Sequence, residues 1–429
     1  MKKIINLLLI FAVFFVNISC ASSNSVEKNQ TTETLKPETE VSNHPFKIAN
    51  GEYSTIMDSS IVSKGNNARL KTVLEKAKNG EKLYIAAIGG SVTEGAGPAN
   101  FKDGYAYQFV KKFKDVYTPD NGKNVYFCNA GLSGTPSPLG LVRYQQDVVK
   151  PLGANPDLLI IEFAVNDGGE PTYCRAFEEL IRNALASNDD CAVIVLFAAA
   201  TYQNTQTQMT PFANFYQVPM VSISDAIKTP VAKGLFTNKD FFTDIVHPTK
   251  EGHEFMADCL MTLLAKIDND ELNNKNELPQ DVYRAPSFAG FKQILGDDEN
   301  VKITKGGFSS TDPQCQTLKK TNKSNFTTNW YHSPSNDSES FRMEIDCKNL
   351  IFVYKENGSW TNIKGGKAEV YVDGKLKATY NAGKEGGWNN CITTLIIDEA
   401  ESKKHTVEVK MAAGDEKKSF TIVAMGYSK

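Results

Sequence analysis

The stretch YIAAIGGSVTEGAG, residues 84–97, breaks an apolar run with two glycines and then Ser91. A serine hydroxyl attacks a carbonyl carbon only when a base takes its proton, and an imidazole suits that task at neutral pH. The sequence DIVHP places His247 three residues after Asp244, close enough in a tight loop for the carboxylate to accept the second imidazole N–H and fix the tautomer. Two further stretches close apolar runs with small or amide residues, Asn129-Ala130-Gly131 and Val165-Asn166-Asp167. Taken singly, each has an ordinary structural reading: Ser91 as a turn residue, Gly131 as a backbone turn, Asn166-Asp167 as a helix cap, His247 as the start of a helix. What sets them apart is where they stand together.

The elements that must position them follow from periodicity. Leu70, Val73, Leu74 and Ala77 recur at helical spacing, with Asn66 or Asn67 as cap and Asn79-Gly80 as the stop. LYIAAI then reads as a strand, followed by a helix through YAYQFVKKF, the strand VYFCNA, a helix around LVRYQQDVV and the strand LLIIEFAV. A helix AFEELIRNAL, the strands AVIVLFAA and VPMVSIS, and a last helix through EFMADCLMTLLAKI complete the series. Strands alternating with helices predict an α/β fold, a doubly wound, mostly parallel sheet with helices on both faces. Such sheets bind ligands beyond the carboxyl ends of their strands, which is where Ser91, Gly131 and Asn166 fall.

The four blocks, in this order, resemble those of the SGNH (GDSL-type) hydrolases over about residues 65–267. The resemblance implies a flavodoxin-like doubly wound sheet and ester hydrolysis by Ser91, His247 and Asp244 without a metal or other cofactor. It also implies an oxyanion hole formed by the backbone N–H of Ser91, the backbone N–H of Gly131 and the side-chain amide of Asn166. Block one departs from the family at Gly90, where the namesake aspartate usually sits. A metal cluster of Asp244, His247 and His253 matches no metal-ligand spacing, so His253 is read as a helix-face histidine. Arg143 and Glu162, which flank apolar runs, are read as solvated or paired charges.

From about residue 285 the pattern changes. FRMEID, LIFVYKE, KAEVYVDGKLKATY and HTVEVKM alternate apolar and polar residues, and Asp373-Gly374 is a hairpin turn signal. The expectation is an antiparallel β-sandwich over 285–429, joined by a polar linker, 268–284, to a hydrolase domain over 46–267. All three tryptophans, Trp330, Trp360 and Trp388, fall in the sandwich; Trp388, in EGGWNNC, is the candidate sugar platform. This domain order looks like that of secreted carbohydrate esterases that deacetylate plant polysaccharides, the sandwich acting as a carbohydrate-binding module. The activity expected is removal of short acyl groups, acetyl foremost, from an acylated polysaccharide. A lipid or thioester acyl hydrolase and a glycan-binding lipoprotein with an inert hydrolase domain are the alternatives. The small, polar segment LSGTPSPLG after Ala130-Gly131 suits a short acyl group better than a long chain.

The N-terminus reads as a leader. A basic pair, an apolar run from Ile4 to Val16 and a small-residue end form a secretory signal, residues 1–19, whose apolar run is shorter than the ~20 residues that span a bilayer. Asn17-Ile18-Ser19-Cys20 resembles the lipobox of bacterial lipoproteins, departing at Asn17, which implies a lipidated Cys20 and a membrane partner. Residues 20–45 are polar and without apolar period, a flexible tether. The expected location is that of an exported bacterial lipoprotein, at the cell surface or the periplasmic face of a membrane. With 47 Lys and Arg against 50 Asp and Glu, and no basic stripe, nucleic acid is excluded as a partner. Cys20 aside, seven of the eight cysteines remain: Cys128, Cys191 and Cys259 in core contexts, Cys347 and Cys391 in the β-rich end where they could pair, and Cys174 and Cys315 besides. No CxxC exists, so no zinc site is expected.

Overall fold

A computed structural model describes residues 44–296, 298–318, 323–324, 326–358 and 364–429; the leader, Cys20, most of the tether and Trp360 lie outside the described residues. After α1 (Asn50–Ser59) the chain forms β1 (Ile61–Ser63), α2 (Ala68–Lys78), β2 (Leu83–Gly89), α3 (Ser91–Glu94), α4 (Tyr105–Tyr117) and β3 (Val125–Gly131). Next come α5 (Ser137–Tyr144), continued by a π-helical turn into α6 (Lys150–Leu152), then β4 (Leu158–Glu162), α7 (Arg175–Ser187), β5 (Ala192–Phe197) and α8 (Gln206–Phe215). The half closes with β6 (Met220–Ser222), α9 (Ile223–Ala232), α10 (Asn238–Phe241) and α11 (Lys250–Asn269). The sheet order is β1-β6-β5-β4-β2-β3, with β2 to β6 parallel and β1 an antiparallel edge. Leaving out β1, that is the flavodoxin-like order.

The strands read clearly because both their faces are buried. Ile85 and Ala87 of β2 face one core with residues of α2, α4 and α11, while Ala86 and Ile88 face the other with residues of α5, α7 and α8. The sequence pattern gave no helix between β5 and β6. Two parallel neighbours need a crossover, and α8 supplies it, its apolar period interrupted by Pro211 and a Gln/Thr-rich start.

The C-terminal half is built on two long strands. Its elements are β7 (Lys292–Gln293), β8 (Val301–Thr304), the short pair β9 (Thr317–Leu318) and β10 (Lys323–Ser324), β11 (Trp330–His332), β12 (Phe341–Glu356), β13 (Lys367–Val372), β14 (Lys375–Asn381), β15 (Asn390–Met411) and β16 (Phe420–Ser428). β12 and β15 pair on both sides of an irregular stretch, where Cys347 lies opposite Lys403 and Asn349 opposite Asp398, which bends the ladder. The first half of β12 has β8 on its other side and the second half has β16. Two layers of an all-antiparallel sandwich thus share the same two strands. Asp373 and Gly374 both take positive φ in the hairpin between β13 and β14, as an Asp-Gly turn demands.

The sandwich does not hang free. Leu350, Phe352 and Tyr354 of β12 point into its own core, whereas Ile351 and Val353 join Phe288, Phe291 and the helices α5 and α7 in the second core of the α/β half. Arg175 of α7 adds a bidentate pair to Asp398 of β15, both bonds 2.8 Å. The segment read as a linker is clipped along the hydrolase half: Asn67 bonds Glu271 and Asn273, Arg182 bonds the carbonyls of Pro279 and Asp281, and the Glu178 carboxylate accepts from the N–H groups of Tyr283 and Arg284. Asn67 stands at the cap position of α2, yet its side chain serves this clip instead of the helix. The Cys347–Cys391 pairing is overturned. Cys347 lies opposite Lys403 and Cys391 opposite Lys355, so roughly 25 Å of strand separates them at ~3.3 Å per residue. All seven described cysteines are buried.

Candidate active site

β2 ends at Gly89, and the chain turns through Gly90 into the single turn of α3, whose first residue is Ser91. Its Oγ lies 2.8 Å from Nε2 of His247, and Nδ1 of the same ring lies 2.6 Å from Asp244 Oδ2. The other Asp244 oxygen accepts the N–H groups of Val246 and His247, each at 2.8 Å. Burial pushes the Asp244 carboxyl up, but these bonds and the imidazole outweigh it and hold the group below the ordinary carboxylate range. An ionised Asp244 keeps the proton on Nδ1 and leaves Nε2 to accept from Ser91. Such a chain can deliver an activated serine oxygen.

Asn166 follows β4, and its amide packs directly on Gly90, where an added Cβ would overlap it. The glycine that departs from the block-one pattern therefore makes room for Asn166 beside the nucleophile turn. The N–H of Ser91 makes no hydrogen bond among the described residues, as an oxyanion donor requires. Gly131 is different. Its N–H donates to Asn129 Oδ1 at 2.8 Å, and its Cα is packed against the backbone of Thr93 and Glu94, so it has no donor to offer an oxyanion. Past Leu132 the N–H groups of Ser133, Gly134 and Thr135 have no partner among the described residues, and of the three Gly134, at φ +67°, is the exposed one. A hydrogen bond from the Ser133 hydroxyl to Glu94 ties the loop to α3.

Residues 87–255 match the GDSL-like lipase/acylhydrolase family. That match and the Ser91-His247-Asp244 geometry support an SGNH-type esterase over these residues. The chain as a whole is similar to the crystal structure of a two-domain esterase (CEX) active on acetylated mannans, with a TM-score of 0.73 and 26% identity over 87% of this chain and 99% of that one. A second structure under the same name, co-crystallised with mannopentaose, gives a TM-score of 0.73 at 24% identity over 87% and 98% of the two chains. No curated protein sequence matches the chain.

The hydrolase surrounds its serine with buried polar groups that sequence reading passed over. Glu162, fully buried at the end of β4, accepts from the Thr93 hydroxyl at 2.9 Å, and Tyr105 closes on the same hydroxyl at 2.9 Å. Burial raises the Glu162 carboxyl to about 7 despite the Thr93 and Gly90 donors that favour its charge. Arg143 is buried as well, paired with Asp147 at 3.0 Å and donating to the carbonyls of Gly89 and Ala130, so it pins the ends of β2 and β3 together. Asn129 donates to Thr93 O, and Asp167 accepts from the N–H of Ser137 at the start of α5. His253, buried on α11, accepts from the Tyr105 N–H and donates to Ala96 O, a fixed neutral tautomer whose pKa burial lowers to about 4. Both its nitrogens are used. Among the described residues no three His, Cys, Asp or Glu side chains are grouped to hold a metal ion.

Of the tryptophans, Trp330 is a core residue against Phe341. Trp388 is 39% exposed, and one edge of its indole rests on Gly134, where an added Cβ would lie 2.9 Å from Cζ2. The sandwich thus reaches the loop beside Ser91. No motif marks that contact.

Proposed function

We propose that this protein removes short acyl groups, acetyl foremost, from a polysaccharide of the acetylated mannan type. Ser91 attacks the ester carbonyl while His247 takes its proton; Asp244 holds the imidazole in the right tautomer and stabilises the imidazolium. The oxyanion is met by the N–H groups of Ser91 and Gly134 and by the Asn166 amide, Gly134 taking the place expected of Gly131. His247 returns the proton to the departing sugar hydroxyl, and water then releases the acid from the acyl-serine by the same steps. The observation that carries this reading is the continuous hydrogen-bonded chain from Ser91 Oγ through His247 to Asp244. Similarity in both domains to an esterase active on acetylated mannans supports the substrate class. The exposed Trp388 face, with Asn389 and Asn390 beside it, supports a sugar ring lying across the rim, its C–H face on the indole.

Acetate release is the test, measured on acetylated mannan, acetylated xylan, peptidoglycan and long-chain esters. Deacetylation of glycan well above hydrolysis of long-chain esters is expected, with Ser91→Ala at least ~10⁴-fold slower and still folded. Trp388→Ala is expected to lose more on polysaccharide than on nitrophenyl acetate, since contacts far from the reacting centre act mainly through binding. Preference for long acyl chains would reject the glycan reading. The leader and the Ser19-Cys20 junction support export and lipid attachment at Cys20, with the enzyme held at a membrane surface. Mass spectrometry of the exported protein's N-terminus checks this, an unmodified start at Ala21 or later being the contrary result.

A further inference from the structure

The loop that carries Gly134 is gripped by the sandwich at two points, and the second is more telling than the tryptophan. Gln316 is nearly buried, and both ends of its side-chain amide are engaged: Nε2 donates to Ser133 O at 2.9 Å, and Oε1 accepts the N–H of Cys391 at 3.0 Å. These partners fix which way the amide points, because a flipped side chain would set donor against donor. Its backbone is anchored as well. Asp312, four residues earlier, is buried in an ion pair with Lys355, accepts from the Thr421 hydroxyl at 2.6 Å and receives the Gln314 N–H at 2.9 Å. Cys391 is the second residue of β15, three after Trp388, so the tryptophan and the glutamine approach the loop from one rigid block.

Ser133 O and the Gly134 N–H belong to one peptide group. That group is planar and trans, so its carbonyl and its N–H point in opposite directions. A donor that holds the carbonyl on the sandwich side therefore aims the N–H away from the sandwich, and drawing electron density toward the carbonyl oxygen makes that N–H a stronger donor. We infer that Gln316 is a positioning residue for the hydrolysis: through Ser133 O it orients and polarises the peptide whose N–H receives the oxyanion. The inference rests on the serine-esterase reading with Gly134 as donor, and it makes the sandwich part of the bond-breaking device as well as a glycan platform.

The prediction is a kcat effect on a substrate too small to touch the platform. With nitrophenyl acetate, Gln316→Leu lowers kcat roughly tenfold and leaves KM near its original value, because the oxyanion exists only in the transition state. Gln316→Glu keeps the chain length and the acceptor for Cys391 N–H but removes the donor to Ser133 O, and it loses kcat at least as strongly. Were Gln316 only a structural tie to β15, the Glu variant would keep kcat near wild type and the Leu variant would show chiefly a lowered Tm; either result overturns the inference. If the Leu variant does not fold, the Glu variant alone decides. Ser91→Ala, run beside them, separates the two levels. A dead Ser91 variant with unchanged Gln316 variants removes this inference alone, whereas turnover by Ser91→Ala removes the serine reading and this inference with it.

Discussion

The catalytic carboxylate and imidazole of the His247 loop are fixed by its own residues, with Thr201 alone among the described remote residues bonding its backbone, at Ile245 O, whereas the stretch from Asn129 to Gly134 is held from several directions by residues remote in the chain. In the first, Asp244 takes the backbone N–H groups of Val246 and His247 with one oxygen and the imidazole with the other, all within four consecutive residues. In the second, Asn129 reaches Thr93, Ser133 reaches Glu94, Arg143 holds Ala130 O, and Gln316 and Trp388 come from the sandwich. The difference decides what each loop tolerates. A locally closed loop fails by losing its chemistry, and a remotely held loop fails by losing its geometry.

Removing the base tests the first loop hardest. His247→Ala takes away the proton acceptor and is expected to lower kcat/KM on nitrophenyl acetate by about 10⁴-fold or more, with little change in Tm because the ring is partly exposed. Asp244→Asn should cost less, since it disturbs the tautomer and leaves the imidazole in place. An Asp244 variant as inactive as the His247 variant would mean that the carboxylate does more than orient the ring.

The second loop is broken by a pair of glycine substitutions whose losses differ in kind. At Gly131 a Cβ would overlap the Glu94 backbone, which cannot move without displacing α3, so Gly131→Ala should lower Tm by several degrees and take activity down with it. At Gly134 the obstacles are a positive φ and the Trp388 edge, both at the surface. Gly134→Ala should therefore lower kcat by about 10²-fold, the scale of one misplaced oxyanion donor, with a smaller change in Tm. Reversal of the pattern, with kcat lost at 131 in a fully stable protein, would return the donor to Gly131.

That pair also marks how far sequence alone could reach. Ser91, Asn166 and the Asp244-x-x-His247 spacing stood out because each follows a fully buried strand or opens the last helix, and apolar runs announce such strands. Two glycines three positions apart on one loop could not be told apart, because what separates them is the α3 backbone on one and an indole from the far end of the chain on the other. Gln316 carried no signal at all: an isolated glutamine after a cysteine is unremarkable until its amide is seen between two backbone groups. The helix α8 stayed hidden for a local reason, Pro211 within a polar stretch. Arg143, read as a solvated or paired charge, is indeed paired, with Asp147, but buried; Glu162, read the same way, is buried, with no cation paired to it among the described residues, because a strand that ends under a nucleophile turn keeps its last residue out of water.

Glu162 offers the smallest effect and the most direct view of that support. Its carboxyl lies at about 7 when folded, raised chiefly by burial, against the ordinary value near 4.5. A group raised in this way contributes most to stability below its unfolded value, and that contribution is lost as pH rises through its folded value, on the order of 3 kcal/mol for a shift of this size. The neighbours that bear on its charge are Thr93, the Gly90 N–H, the buried Tyr105 and Asp167, and Tyr202, none of them cationic. Glu162→Gln preserves the shape and an acceptor for Thr93 while removing the charge. Its Tm should exceed that of the wild type at pH 8 and approach it near pH 5, where the wild-type carboxyl is already protonated. Activity on nitrophenyl acetate should change little, because Thr93 keeps its acceptor and the Gly90-Ser91 turn stays in place. Melting curves from pH 5 to pH 8 settle the matter: a difference in Tm that does not grow with pH would mean that Glu162 stays in one protonation state across that range.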